Sequence, residues 1–269
     1  MLGSNDGEYT MVIKGLETFR DHFKDYNDSY VILGGTACRE WFFEADLDFR
    51  LTKDVDMVLL LEAMGENFFQ HFWDYLKAGE YSRWERADGY KTVFRFVEPV
   101  SEDYPYMIEL LAHPQDVKVP ENQKIVRLKP GKGLSSLSAI LLDGDYYQLL
   151  LKHRKESASG LPLVLPEMLL LLKAKAYLNL LEDKKNGKAI KDRDLKKHRN
   201  DVFRLVYLLP ATLEMEMPDS VATDLRNFLE IFTPESDQWK GISQALRESR
   251  LEVRQNEELL GVIKSAYNL

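Results

Sequence analysis

The feature that most constrains this chain is a pair of adjacent glycines between an apolar run and a helix-like stretch. Residues 30–33 (YVIL) are apolar and rich in β-forming side chains, which predicts a short buried strand. Gly34 and Gly35 follow directly, and Thr36 is placed to cap a helix that begins at Ala37. A glycine turn that leads into a helix N-terminus leaves backbone N–H groups free to bind a phosphate. This order of elements therefore predicts an anion site at the turn.

Three carboxylates further along the chain can join this turn. Asp54 and Asp56 open a second apolar run, and residues i and i+2 of a strand project from the same face. Glu109 lies inside another apolar run, where a carboxylate must be paired, hydrogen-bonded or coordinated. If the two runs form neighbouring strands, the three acids make a site for Mg²⁺ or Mn²⁺. Such a site is typical of nucleotidyl transfer, in which metal ions bind the triphosphate of a nucleoside triphosphate (NTP).

A second Asp-x-Asp sequence competes for this role. Asp46 and Asp48 lie closer to the glycines, but the run that follows them is short and interrupted by Arg50. Asp54 and Asp56 lead straight into an apolar run, so we prefer them as the acidic pair.

These motifs, taken in order, resemble those of a known fold. The turn at residues 34–36, the acidic pair and Glu109 resemble the nucleotidyltransferase fold shared with DNA polymerase beta. Within that fold the chain most resembles the AbiEii/AbiGii toxin-like nucleotidyltransferases, which have a GGTA element, then an arginine and a Ser or Thr shortly before the acidic pair. Residues 34–37 (GGTA) and 50–56 (RLTKDVD) match these elements. The resemblance covers about residues 30–209, and its specific part is limited to short motifs.

Two further matches lie in the C-terminal half. The family carries a lysine on one helix and a Lys/Arg-Asp-x-x-Asp element on the next. Lys173 matches the lysine, and residues 197–201 (KHRND) match the second element, with His198 where the family often has an acid. Lys197 and Asp201 are four residues apart and share a helix face, so Asp201 can orient Lys173 or Lys197.

The resemblance implies a role for each matched residue. Asp54 and Asp56 would bind the metal, and Glu109 would aid metal binding or deprotonate the acceptor. Arg50 or Lys53 would pair with the acids or contact phosphate. Lys173 would reach the triphosphate, or would snorkel to solvent. The nucleotide-binding residues expected on this basis are Gly34, Gly35, Thr36, Arg50, Lys53, Lys173, Lys197 and Asp201.

The function implied is a metal-dependent nucleotidyltransferase that moves NMP from an NTP to a hydroxyl of RNA or of a protein. The family resemblance implies a toxin–antitoxin or phage-defence setting, with a cognate antitoxin as a further partner. Two alternatives stay open, which are a small-molecule nucleotidyltransferase of the aminoglycoside-modifying kind and a non-catalytic nucleotide-binding module.

Hydrophobic patterning sets the expected architecture. We expect an α/β (α+β) catalytic domain at residues 1–165, with a mixed β-sheet and flanking helices, and a helical domain at residues 166–269. Residues 138–153 predict a β-hairpin, and residues 1–10 are expected to be loose. The net charge of −8 does not favour nucleic-acid binding by the surface as a whole. A single cysteine, Cys38, and the lack of a long apolar stretch favour a cytoplasmic protein that does not span a membrane.

Overall fold

The computed structural model describes residues 13–60, 67–87, 92–112, 125–127 and 144–269, and these form a mixed α/β architecture. The strands are β1 (Tyr30–Leu33), β2 (Asp54–Leu59), β3 (Arg83–Ala87), β4 (Thr92–Val97), β5 (Met107–Ala112), β6 (Ile125–Arg127), β7 (Arg154–Glu156) and β8 (Pro162–Val164). The helices are α1 (Leu16–Phe23), α2 (Gly34–Glu44), α3 (Phe68–Ala78), α4 (Gly144–Lys152), α5 (Pro166–Lys185), α6 (Asp192–Leu205), α7 (Asp219–Ile231), α8 (Trp239–Glu248) and α9 (Asn256–Ala266). Short 3₁₀ segments, Lys24–Tyr26 and Val206–Leu208, continue α1 and α6.

The strands form one mixed sheet in the order β6-β3-β4-β5-β2-β1-β8-β7. At its centre β2 runs parallel to β5 and antiparallel to β1. The prediction that the strand with the acidic pair lies beside the strand with Glu109 is therefore confirmed. The mixed sheet with flanking helices and the helical C-terminal region agree with the expected fold class.

The register of β2 decides which side chains meet. Asp56 is paired with Glu109 on β5 and with Leu33 on β1. Paired residues on neighbouring strands point to the same face, and Asp54 shares that face because it lies two residues before Asp56. We call this side of the sheet the acid face.

Aromatic side chains cover the opposite face of the sheet. Phe19 on α1 packs edge-on against Tyr30 on β1, with ring centroids 5.8 Å apart. Phe72 on α3 contacts Phe96 on β4 with a centroid distance of 5.5 Å. On the central strands β1, β2, β4 and β5, the described side chains of this face are buried, so polar chemistry at the centre of the sheet is confined to the acid face.

The helices of the C-terminal half pack onto the same core as the sheet. Pro166 occupies the first turn of α5, where its missing N–H costs no hydrogen bond. Helix α5 contacts α2, α6 and α7, and one cluster of buried apolar side chains extends from the sheet into these helices. The start of α5 coincides with the expected boundary after residue 165, but because the core is continuous there, the division into two domains stays a prediction. No described helix is both long and apolar enough to cross a bilayer.

The predicted hairpin at residues 138–153 is wrong where the structure describes it, because residues 144–152 form helix α4. Its buried residues Tyr146, Leu149 and Leu150 follow helical spacing. Strands β3 and β7 were not predicted. Residues 1–10, expected to be loose, and residues 138–143 lie outside the described residues.

Candidate active site

Three acids lie on the acid face of the sheet. Asp54 and Asp56 lie at the start of β2, and each keeps part of its surface exposed. Glu109 lies opposite Asp56 on β5 and is only 2% exposed. The strand pairing thus places on one face the three carboxylates from which the sequence predicts a metal site.

These carboxylates repel one another. Burial, and next to it the Glu109 carboxylate, raise the pKa of Asp56 to about 8. Burial also raises the pKa of Asp54, against the opposing charge of Lys197 and with a further contribution from Glu109. A group of acids that resists ionisation in this way is stabilised by any cation that binds among them.

Glu109 is held by an arginine that the sequence reasoning missed. Arg95 on β4 is the cross-strand partner of Glu109, and its Nε donates to Glu109 Oε1 at 2.7 Å. A second guanidinium nitrogen of Arg95 donates to the same oxygen. The expectation that Glu109 is paired is confirmed, but the partner came from the strand register, which the sequence alone does not reveal.

The glycine turn is packed against the acids. Gly34 has φ +70°, and a Cβ built on it would lie 1.9 Å from Asp56 Oδ2. A Cβ on Gly35 would lie 2.8 Å from the Thr52 hydroxyl oxygen. The space left by the missing side chains is therefore filled by Asp56 and Thr52, so a side chain at Gly34 would displace Asp56.

Thr36 does not cap helix α2 as expected. The helix begins at Gly34 with Leu33 as its N-cap, so Thr36 lies inside its first turn. The fully buried Thr36 hydroxyl donates to the Asp54 carbonyl at 2.6 Å. Thr36 thus ties α2 to the first residue of β2, and its hydroxyl is engaged there and not in a cap.

Asp201 on α6 gathers three cations. Arg50 donates to both of its oxygens, from Nε to Oδ1 at 3.0 Å and from a terminal nitrogen to Oδ2 at 2.7 Å. Lys173 Nζ on α5 lies 3.3 Å from Oδ2, and an Arg204 terminal nitrogen lies 3.2 Å from Oδ1. Burial alone would raise the pKa of Asp201, but Arg50, Lys173 and Arg204 outweigh it and hold that pKa well below its ordinary value. We call these four residues the Asp201 cluster.

The contacts of the Asp201 cluster can be compared with the predictions for Lys173 and Arg50. Asp201 orients Lys173, as expected, and Arg50 pairs with Asp201 instead of with the acids on the sheet. Lys173 is 1% exposed, so it does not snorkel to solvent. Arg204 was missed, because nothing in a helical sequence shows which arginine faces a buried acid.

Lys197 is the cation of the helical half whose charge acts most on the acids. It remains accessible to solvent, and its charge lowers the pKa of both Asp54 and Asp56. Partial burial, with Arg50 and Lys173 nearby, lowers the pKa of Lys197 itself. Burial, and after it the Lys173 charge, keep the pKa of the neighbouring His198 well below its ordinary value.

Lys53, expected to pair with the acids or to contact phosphate, lies beside an exposed tyrosine. Its exposed ammonium group lies 6.0 Å from the ring centroid of Tyr106, itself 52% exposed.

Asp46 and Asp48 lie in the connector after α2, where Asp48 forms an ion pair with Arg250 at 3.0 Å. The preference for Asp54 and Asp56 as the strand-borne pair is therefore confirmed.

The carboxylates of this site suit a divalent cation that is held by two acids. Among the described residues, no three His, Cys, Asp or Glu side chains stand together as a ready metal-binding group. Asp54 and Asp56 nevertheless supply two adjacent, mutually repelling carboxylates, and Mg²⁺ often takes one or two carboxylates and completes its shell with water and phosphate oxygens. Asp54 and Asp56 would hold the ion, with Glu109 as the next carboxylate.

Comparison of the chain with protein-family models, with curated proteins and with solved structures gives no match in any of the three.

Proposed function

We propose that this protein is a metal-dependent nucleotidyltransferase that moves NMP from an NTP to a hydroxyl acceptor. The observation that carries the proposal is the pairing of Asp56 with Glu109, beside Asp54 and against the Gly34 backbone. Three acids on one face of a sheet, fixed by a glycine turn, suit a divalent cation that binds a triphosphate.

The cations of the helical half support the same proposal. The Asp201 cluster contains one carboxylate and three cationic side chains, so its net charge is positive. Lys197 adds a further positive charge that interacts with both this cluster and the acids. A buried excess of positive charge beside a metal-binding pair favours a polyanionic ligand such as a triphosphate.

Each group then has a part in the reaction. A divalent cation held by Asp54 and Asp56 would neutralise the triphosphate and stabilise the departing pyrophosphate. Lys197, which is accessible to solvent, is placed to contact phosphate oxygens. Arg50 and Lys173 reach the site as charges whose positions are fixed by Asp201. Glu109, restrained by Arg95, is the candidate to accept the proton of the acceptor hydroxyl.

The acceptor is proposed to be RNA or a protein hydroxyl, in a toxin–antitoxin or phage-defence setting with a cognate antitoxin. Transfer of label from α-³²P-NTPs tests this proposal, with bulk tRNA, lysate protein and small hydroxylated molecules as separate acceptors. Labelled RNA or protein that requires both Asp54 and Asp56 is the expected result. Label on small molecules alone would instead support the aminoglycoside-modifying type of enzyme.

One observation favours a second candidate, a nucleotide-binding module without turnover. Glu109 is already paired with Arg95, and the described acids do not form a ready three-ligand group. Tight NTP binding by the folded protein, with no label transferred to any acceptor, would support this module over the enzyme.

A further inference from the structure

Arg95 forms an ion pair with Glu109 on the acid face. The two side chains are 13% and 3% exposed, so water screens the ion pair little. Arg95 binds through Nε and a terminal nitrogen, and both donate to Glu109 Oε1. The pair connects β4 and β5 directly across the strand register, beside the strand that carries Asp54 and Asp56.

The charge of Arg95 extends beyond Glu109. Arg95, Glu109 and Asp56 are paired in one row across β4, β5 and β2, so the guanidinium lies one strand away from the acidic pair on the same face of the sheet. A fixed positive charge beside two carboxylates opposes the binding of a further cation there. Neutralisation of Glu109 also removes part of the attraction that a third carboxylate would add.

We propose that Arg95 is a built-in counter-ion of the acid face, which restrains Glu109 and limits the affinity of Asp54 and Asp56 for a divalent cation. Arg95 is thus a positioning residue that acts through Glu109 and through its charge. This inference rests on the proposed function, since it assumes that the acidic pair binds a metal.

Calorimetric titration of the metal-free, full-length protein with Mn²⁺ tests the proposal without any turnover. Arg95→Gln removes the positive charge, and we expect it to tighten Mn²⁺ binding at least about tenfold. Arg95→Lys keeps the charge, and its dissociation constant should stay within about threefold of that of the wild type. Glu109→Gln removes a carboxylate and should weaken binding. If Arg95 served only to hold the sheet together, Arg95→Gln would weaken binding or leave it unchanged.

The double variant Arg95→Gln/Glu109→Gln keeps the test decisive if Arg95→Gln does not fold. Replacing both partners of a buried ion pair is tolerated far better than replacing one, because no unpaired charge remains. We expect the double variant to bind Mn²⁺ about tenfold more tightly than Glu109→Gln alone, since only the Arg95 charge differs. Circular dichroism and thermal melts establish that each variant is folded.

The outcomes separate the two claims. Equal Mn²⁺ affinity with and without Arg95, in a protein whose binding depends on Asp54 and Asp56, would overturn the role of Arg95 alone. No Mn²⁺ binding by the wild type, or binding that survives replacement of both aspartates, would overturn the proposed metal site and this inference together.

Discussion

Asp56 lies on the acid face, and the fold strongly disfavours the ionised form of its carboxyl group. Its pKa is raised to about 8, by burial first and by Glu109 next. A raised carboxyl pKa means that the folded state favours the protonated form. The unfolded chain loses the Asp56 proton near pH 4, whereas the folded chain keeps it until about pH 8, so the metal-free fold loses stability as pH rises through this window.

Asp56→Asn should consequently stabilise the metal-free protein at pH 8 and leave its stability nearly unchanged at pH 4. We expect a gain on the order of 2 kcal/mol, or a rise in Tm of about 4–8 °C, which is less than the full pKa shift converts to because the carboxylate keeps partial solvent exposure. Thermal melts across this pH range, in the presence of a chelator, measure the effect. The matched control is Asp46→Asn, an exposed position, where no gain is expected. A loss of stability in Asp56→Asn at pH 8 would contradict the account.

Gly34 offers a second test at the same scale. Its φ is +70°, and an added Cβ would lie 1.9 Å from Asp56 Oδ2, whereas Gly160 has φ +84° with open space around its Cβ position. Gly160→Ala should cost only the strain of a left-handed alanine, about 1–2 kcal/mol. Gly34→Ala should cost about 3 kcal/mol or more, because it also displaces Asp56. Urea unfolding of both variants provides the comparison, and equal costs would show that Gly34 does not position the acid.

At the scale of elements, Asp201 connects α6 to α5 and to the connector before β2. Asp201→Asn leaves three cationic side chains facing one another, so we expect a loss of about 3–5 kcal/mol at neutral pH. Asp192→Asn is the control, because its ion pair with Lys184 is exposed and should matter little.

The pH dependence gives this prediction a definite sign. The pKa of Asp201 is depressed in the folded state, so its pairing stabilises the fold above the unfolded pKa of about 4 and is lost as pH falls below it. The difference in unfolding free energy between the wild type and Asp201→Asn should therefore shrink below about pH 4. A difference that stays constant through this range would mean that Asp201 contributes by packing and not by charge.

Elements with a strong apolar run could be predicted from the sequence, and those without one could not. Strands β2 and β5 could be predicted because an apolar run follows the acids of β2 and apolar residues flank the acid of β5. Strand β3 (RWERA) was missed because three of its five residues are charged, and β7 (RKE) because it is short and polar. For α4 the apolar run predicts a strand, but the residues form a helix whose buried positions follow a helical period.

In the candidate site, too, some features could be predicted from local sequence and others depend on the fold. The three acids share a face because of strand periodicity, which the sequence contains. Arg95 and Arg204 reach Glu109 and Asp201 only through strand register and helix packing, and local sequence does not determine these. Gly34 and Gly35 were predicted to bind phosphate, and that role stays a prediction; an added Cβ at these positions would meet Asp56 and Thr52, which the turn itself could not reveal.

In the whole molecule, the proposed function depends on how the acids of the sheet and the cations of the helical half are arranged. The sheet presents three acids, and the helical half supplies Lys197 and the Asp201 cluster next to them. Because a single hydrophobic core supports both halves, the opposite charges are held together in a fixed geometry. The proposed metal-dependent transfer from a nucleoside triphosphate would use both sets of charges at once.

Pyrophosphate release tests this claim most directly, because it does not depend on knowing the acceptor. The assay takes each of the four NTPs with Mg²⁺ or Mn²⁺, with bulk tRNA and cell lysate supplied as acceptors. We expect release by the wild type and by Asp46→Asn/Asp48→Asn, and none above background by Asp54→Asn/Asp56→Asn or in the presence of a chelator. Release that persists in Asp54→Asn/Asp56→Asn, or no release by the folded wild type with any NTP, would overturn the proposed function.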